Sequence, residues 1–157
     1  MAVLLALSAH VQAQDATFAV RSMTPETALK VARAALDSCR KQGYQVAVSV
    51  VDRAGIVQVL LRDRFAGAHT PDVAANKAWT AASFRTATAD LARETQPGQA
   101  MSGLRNFPRF LAAGGGQMIE GGGVLLGAIG VSGAPGGDAD DSCAKAGIRA
   151  IADDIAF

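Results

Sequence analysis

The stretch Gln45-Val-Ala-Val-Ser-Val-Val-Asp-Arg-Ala-Gly-Ile-Val-Gln-Val-Leu-Leu61 decides the fold class. Two β-rich runs, Gln45–Val51 and Ile56–Leu61, flank the turn signal Asp52-Arg-Ala-Gly55, which is the pattern of a hairpin and therefore of antiparallel pairing. Val46, Val48 and Val50 alternate, so one face of the first strand is expected to be buried. The second run is apolar on both sides, which predicts a central strand.

Upstream, Thr24-Pro25-Glu26 reads as a helix start: a capping hydroxyl, proline at the first helical position and an acid favoured by the helix dipole. Ala28, Val31, Ala32, Ala35, Leu36 and Cys39 then recur at helical spacing until Gly43 ends the helix. Downstream, helical pattern returns from Thr70-Pro71 to about Thr95, and the weak helix formers of Thr80–Thr88 allow two shorter helices there. Pro97-Gly98 opens a loop that reaches Pro108, and Arg109-Phe-Leu-Ala-Ala leads into Gly114-Gly-Gly116. Gln117–Ile119 and Val124–Val131 are strand candidates joined by Glu120-Gly-Gly-Gly123. Ser132–Gly137 is a glycine loop, and Asp138 is expected to cap a last helix running through Ala144, Ile148, Ile151 and Ile155. The order is helix, two strands, helices, two or three strands, helix. Hairpin-linked strands of this kind predict an α+β domain, an antiparallel sheet with helices against it.

The chain has 157 residues, half of them hydrophobic and 18% charged, which suits one domain with a sizeable core. Fifteen basic residues stand against fourteen acidic ones, interspersed rather than in blocks, and there is one Trp and one Tyr. That excludes the basic, aromatic-studded surface of a nucleic-acid binder. Residues 1–13 form a short apolar run ending in Val11-Gln12-Ala13, the small-x-small pattern of a signal-peptide cleavage site, with no basic residue before it. The expectation is a leader over 1–13, a single domain over 14–157 and a periplasmic or secreted protein without a membrane span; the alternative is an ordinary N-terminal helix. Cys39 and Cys143 fall on the first and last helices, so they are either bridged, if those helices pack side by side, or two buried thiols. No CxxC, CxxCH or Cys/His cluster points to dithiol redox chemistry, covalent haem or zinc.

Catalytic patterns are thin. Behind the leader only His69 remains as an imidazole, and no G-x-S-x-G accompanies it. Asp52 sits in a turn, which weakens a carboxylate pair with Asp63. The glycines of Gly130–Gly137 lack the spacing of a phosphate loop, and Asp138, Asp140 and Asp141 would repel an anion there. His69, on a loop at a helix start, is the candidate metal ligand, for haem iron. Met23, Met101, Met118 and Tyr44 are weaker axial candidates, and Phe84, Phe107 and Phe110 are candidate walls for a flat apolar ligand.

Four motifs in this order resemble one family: Val50-Val-Asp-Arg-Ala-Gly55, Ala74-Ala-Asn-Lys-Ala-Trp-Thr-Ala-Ala-Ser-Phe84, Gly114-Gly-Gly-Gln-Met-Ile119, and Gly127-Ala-Ile-Gly-Val-Ser-Gly133 followed by Asp141 and Ala146-Gly147. From Met23 to the C-terminus the chain is similar to the GlcG/HbpS proteins, and to a non-catalytic domain found at the end of some cobalamin adenosyltransferases. The resemblance implies an antiparallel, about five-stranded sheet flanked by helices in profilin-like layers, homo-oligomerisation, and haem binding for storage or redox sensing. Arg62-Asp63-Arg64-Phe65 departs from the family's usual run before Ala66, beside His69. The expected site is His69 with Phe84, Phe107, Gly115 and Gly116 as haem-binding residues and no catalytic residue. The alternative is an enzyme or accessory protein for a small carbonyl or hydroxy-acid metabolite, with Lys77, Arg109 or Asp52 as polar anchors.

Overall fold

The computed structural model describes residues 17–157; the expected leader, 1–13, lies outside them. The chain runs α1 (Pro25–Lys41), β1 (Ala47–Asp52), β2 (Val57–Arg62), α2 (Thr70–Phe84), α3 (Thr88–Glu94), a 3-10 turn (Ser102–Asn106), β3 (Gly116–Gly121), β4 (Val124–Ser132), α4 (Gly137–Arg149) and a last 3-10 turn (Asp153–Ile155). The strands form one antiparallel sheet in the order β2-β1-β4-β3. The architecture is the expected α+β one, with four strands rather than about five. Pro97 and Pro108, which lack an N–H for a ladder, bracket a segment that folds as turns instead.

Strand period two divides the core. Val46, Val48 and Val50 point to one face, where with Ile129 and Val131 they meet Val31, Ala35 and Leu36 of α1 and Ala144 of α4. Val51 and Ala128 point to the other face, against Ala78, Ala81 and Ala82 of α2. Three layers result. Alanines dominate α2 because the helix lies very close to the sheet: a Cβ at Gly130 would stand 2.0 Å from the Ala74 carbonyl oxygen.

The order of the hairpin strands reverses the expectation. β1 lies inside the sheet, buried on both faces, while the apolar β2 is an edge whose Val57 and Leu60 remain 43% and 45% exposed. Apolar side chains on an unpaired edge are a liability unless something covers them.

Helix ends follow the local rules. Thr24 caps α1 by accepting from the Thr27 N–H, with Pro25 in the first turn. At the other end Gly43, at φ +82, lets its own N–H reach the Arg40 carbonyl and that of Tyr44 reach the Cys39 carbonyl, a Schellman stop. The long helical pattern after Thr70 does split in two, at Arg85. Gly136, not Asp138, is the N-cap of α4, and that helix ends at Arg149 before Ile151 and Ile155 are reached. Cys39 and Cys143 are bridged, Cα atoms 5.5 Å apart, because α1 and α4 pack side by side. No helix among the described residues is long and apolar enough to cross a membrane.

Candidate functional site

Antiparallel pairing brings three connections to one end of the sheet. Ala47, at the start of β1, lies opposite Arg62 and Ser132, the last residues of β2 and β4. The segments entering β1 and leaving β2 and β4 therefore converge, and between them lies an open cleft of about 510 Å³. Its walls are Gly43, Tyr44 and Gln45 from the first segment, Phe65, Gly67, His69 and Thr70 from the second, and Ser132–Gly137 with Asp140 from the third. The volume falls within the range of small-molecule sites.

The segment carrying His69 is tightly held. Arg62 donates twice to the Ala66 carbonyl, and the Thr70 hydroxyl donates to the Gly67 carbonyl across 2.8 Å. Asp63, 2% exposed, accepts from Arg40 at 2.7 and 3.0 Å and from the Arg64 N–H at 2.9 Å. Its carboxyl is held below the ordinary value, first by the Arg40 hydrogen bonds, which prevail over burial. The departure at Arg62–Phe65 thus builds a braced turn, with Phe65 projecting 79% exposed.

His69 occupies the cap position of α2 but makes no capping bond. Its ring lies over Gly67, where a Cβ would stand 2.7 Å from Cε1. Among the described residues the exposed imidazole has no hydrogen-bond partner, so its nitrogens are available to a ligand.

At the cleft wall, Asp140 forms a buried ion pair with Lys77, which lies behind it. Asp140 also accepts from the Ala134 N–H at 3.0 Å, which shapes the glycine connection as a closed strand-to-helix turn. Burial pushes the Asp140 carboxyl up from its ordinary value, against the opposing pull of Lys77. Asp141 accepts from the Gly115 N–H and from Gln117.

Of the five residues expected to form the site, only His69 lines this cleft. Gly115 and Gly116 start β3 near the same end of the sheet, but they are packed shut. A Cβ on Gly115, at φ +116, would meet the Val131 oxygen at 2.5 Å, and one on Gly116 would meet Thr88 at 2.5 Å. Phe84 ends α2, about 22 Å along the helix from His69 at 1.5 Å per residue. Its ring packs edge-on against Phe110, with centroids 5.0 Å apart. Phe107 stacks on Trp79, whose ring also carries the Arg109 guanidinium. Gly115, Gly116 and Phe84 pack against protein neighbours, and Phe107, 55% exposed, stacks on Trp79; none of the four lines the His69 cleft.

The alternative polar anchors are engaged as well. Lys77 is neutralised by Asp140, Arg109 is stacked on Trp79, and Asp52 accepts from the Ala54 and Ile56 N–H groups of its own turn. Among the described residues no group of three or more His, Cys, Asp or Glu side chains forms a metal cage. A single axial imidazole is the kind of ligand a haem iron takes from protein, since the porphyrin supplies the other nitrogens.

Residues 23–149 match the family model described as haem degrading protein HbpS-like. The chain belongs to the HbpS-like family. Among solved structures, a double mutant of HbpS from Streptomyces reticuli is 36% identical, with a TM-score of 0.79 over 92% of this chain and 97% of that one. A complex of PduOC with heme is 32% identical, with a TM-score of 0.78 over 83% of this chain and 95% of that one. The corrinoid adenosyltransferase PduO of Salmonella typhimurium is 35% identical over 106 residues, 66% of this chain. This HbpS-like chain spans only 32% of that relative's length. The resemblance read from four sequence motifs is therefore sound.

Proposed function

We propose that this HbpS-like chain is an exported, homo-oligomeric haem-binding protein, a haem store or redox sensor, with His69 as the residue that would hold the haem iron in the cleft. The observation that carries the reading is the exposed imidazole of His69 at the cleft wall, free of any protein hydrogen bond among the described residues. The residues fit the group: a nitrogen lone pair for iron, and Tyr44 and Phe65 as ring surfaces for a flat apolar guest. The heme complex of a 32% identical relative supports it. Bound haem would supply iron-centred redox and ligand-exchange chemistry. The chain's part is to hold His69 on the braced Arg62–Thr70 turn and to keep that turn fixed. Besides His69 and Tyr44, the ionisable side chain on the cleft wall is Asp140, already committed to Lys77, which favours storage or sensing over acid–base catalysis.

Export is supported by the Cys39–Cys143 bridge, which persists in oxidising compartments, together with the cleavage pattern at Val11-Gln12-Ala13. Self-association is supported by Ile56, Val57, Leu60 and Phe65, exposed apolar residues on or beside the β2 edge.

The test is a pair of titrations, one with hemin and one with iron-free protoporphyrin. Iron ligation predicts saturable hemin uptake at one per chain with a shifted Soret band, and much weaker binding of the metal-free ring. Equal affinity for the two would contradict iron ligation by His69. Mass photometry at micromolar concentration is expected to show an oligomer, and a monomer would refute that part of the proposal.

A further inference from the structure

At the other end of the strands from His69, a second cavity of about 410 Å³ opens between the β3–β4 hairpin and three further segments. They are the chain approaching α1, the β1–β2 turn and the α2–α3 hinge, and each contributes one arginine: Arg21, Arg53 and Arg85. Glu120, at the far end of β3, is the acidic residue of the lining, and Val124 and Leu125 supply apolar wall.

Among the described residues none of the three guanidiniums belongs to an ion pair, whereas Arg40 and Arg93 both find carboxylates. Arg21 makes a cation–π contact, its guanidinium 4.2 Å from the centre of the Phe157 ring, which leaves its N–H groups for a ligand. Among the described residues Arg85 is one of two non-glycine residues with positive φ, at +49, and this left-handed stop ends α2 at the cavity lining. Three cations against one anion around a concave surface focus positive potential into it. Guanidinium forks pair two-pronged with carboxylate or phosphate oxygens.

We infer that this cavity is a binding site for a small multivalent anion, a compound carrying at least two carboxylate or phosphate groups. A single negative charge leaves the cavity positive once Glu120 is counted, so the arrangement favours at least two charges. Glu120 also offers an acceptor for a hydroxyl on the ligand. The site is separate from the His69 cleft and does not depend on haem binding.

Isothermal titration of the whole protein in low-salt buffer tests it, with citrate, inorganic pyrophosphate and acetate as probes. Citrate or pyrophosphate is expected to bind at one per chain about tenfold or more tighter than acetate. Whichever of the two binds more tightly identifies carboxylate or phosphate as the natural chemistry. Arg53→Gln and Arg85→Asn, the latter keeping a side chain that tolerates the left-handed backbone, should each weaken binding several-fold, and Glu120→Gln should tighten it. Hemin uptake should be the same in all three variants. Absence of heat with both polyanions, equal affinity for acetate, or variants that bind like the wild type would overturn the inference.

Discussion

Lys77 of α2 donates to Asp140 of α4 across 2.8 Å, joining helices from opposite faces of the sheet at the wall of the cleft. Lys77 also donates to the Val131 carbonyl, at 2.9 Å. Nearly all of both side chains is out of water, so each charge depends on the other. Removing one partner of such a pair strands the other, at a cost of about 3–5 kcal/mol. Lys77→Ala is expected to lose stability on that scale in urea unfolding. Asp140→Asn keeps an oxygen for the Ala134 N–H but leaves the Lys77 ammonium buried without its counter-charge, so it should lose stability on the same scale.

Asp63 and Asp140 respond to acid with opposite sign. The Asp63 carboxyl lies below its ordinary value, so its contribution is fully present above about pH 4, the unfolded value, and is lost as pH falls through the folded value. The Asp140 carboxyl lies above its ordinary value, so its contribution favours the folded state below about pH 4 and fades as pH rises through the folded value. Because the two act in opposite directions, the Asp63 part is read as a difference: as pH is lowered from 7 through 4, Asp63→Asn should lose less stability than the wild type. An unchanged acid limb in the variant would show that the Arg40 contact is not coupled to folding.

The Cys39–Cys143 bridge closes a loop of 104 residues in the unfolded chain. Chain-entropy arguments assign a loop of that length about 4–5 kcal/mol. Adding a reductant, or replacing Cys143 with Ser, is expected to lower the urea midpoint accordingly, and an unmoved midpoint would mean that the bridge is absent from the protein in solution.

Gly130→Ala tests the close approach of α2 to the sheet. The added methyl would meet the Ala74 carbonyl and, at 2.7 Å, the Ala78 nitrogen, both backbone atoms that cannot rotate away. Overpacking of this kind costs about 1–3 kcal/mol. A substitution that leaves thermal stability unchanged would show that α2 lies farther from β4.

Much of this layout is legible from residue pattern, and its gaps have physical causes. The hairpin and the helix-ending glycine at 43 announce themselves because turn chemistry and capping are local, whereas the weak helix formers of Thr80–Thr88 allow a split without placing it at Arg85. That β2 is an edge does not, because its leucines and valines read as buried whether the covering comes from its own chain or another. His69 stands out as a lone imidazole at a helix start. Its companions Tyr44, Gln45 and Ser132–Gly137 come from distant segments, and only strand pairing brings them together. The signal was present all the same: if β1 lies between β2 and β4, its entry must meet their exits. Gly115 and Gly116 do not disclose their role by residue type, because a glycine that leaves room for a ligand reads the same as one that leaves room for Thr88 or Lys77.

The most direct test of the haem proposal is an absorbance titration of His69→Ala with hemin beside the wild type, with albumin as a control for non-specific uptake. If His69 holds the iron, the variant should lose the ligand-dependent shift of the Soret band and bind hemin about tenfold or more weakly. A variant with the wild-type spectrum and affinity would contradict the assignment and move the iron ligand elsewhere.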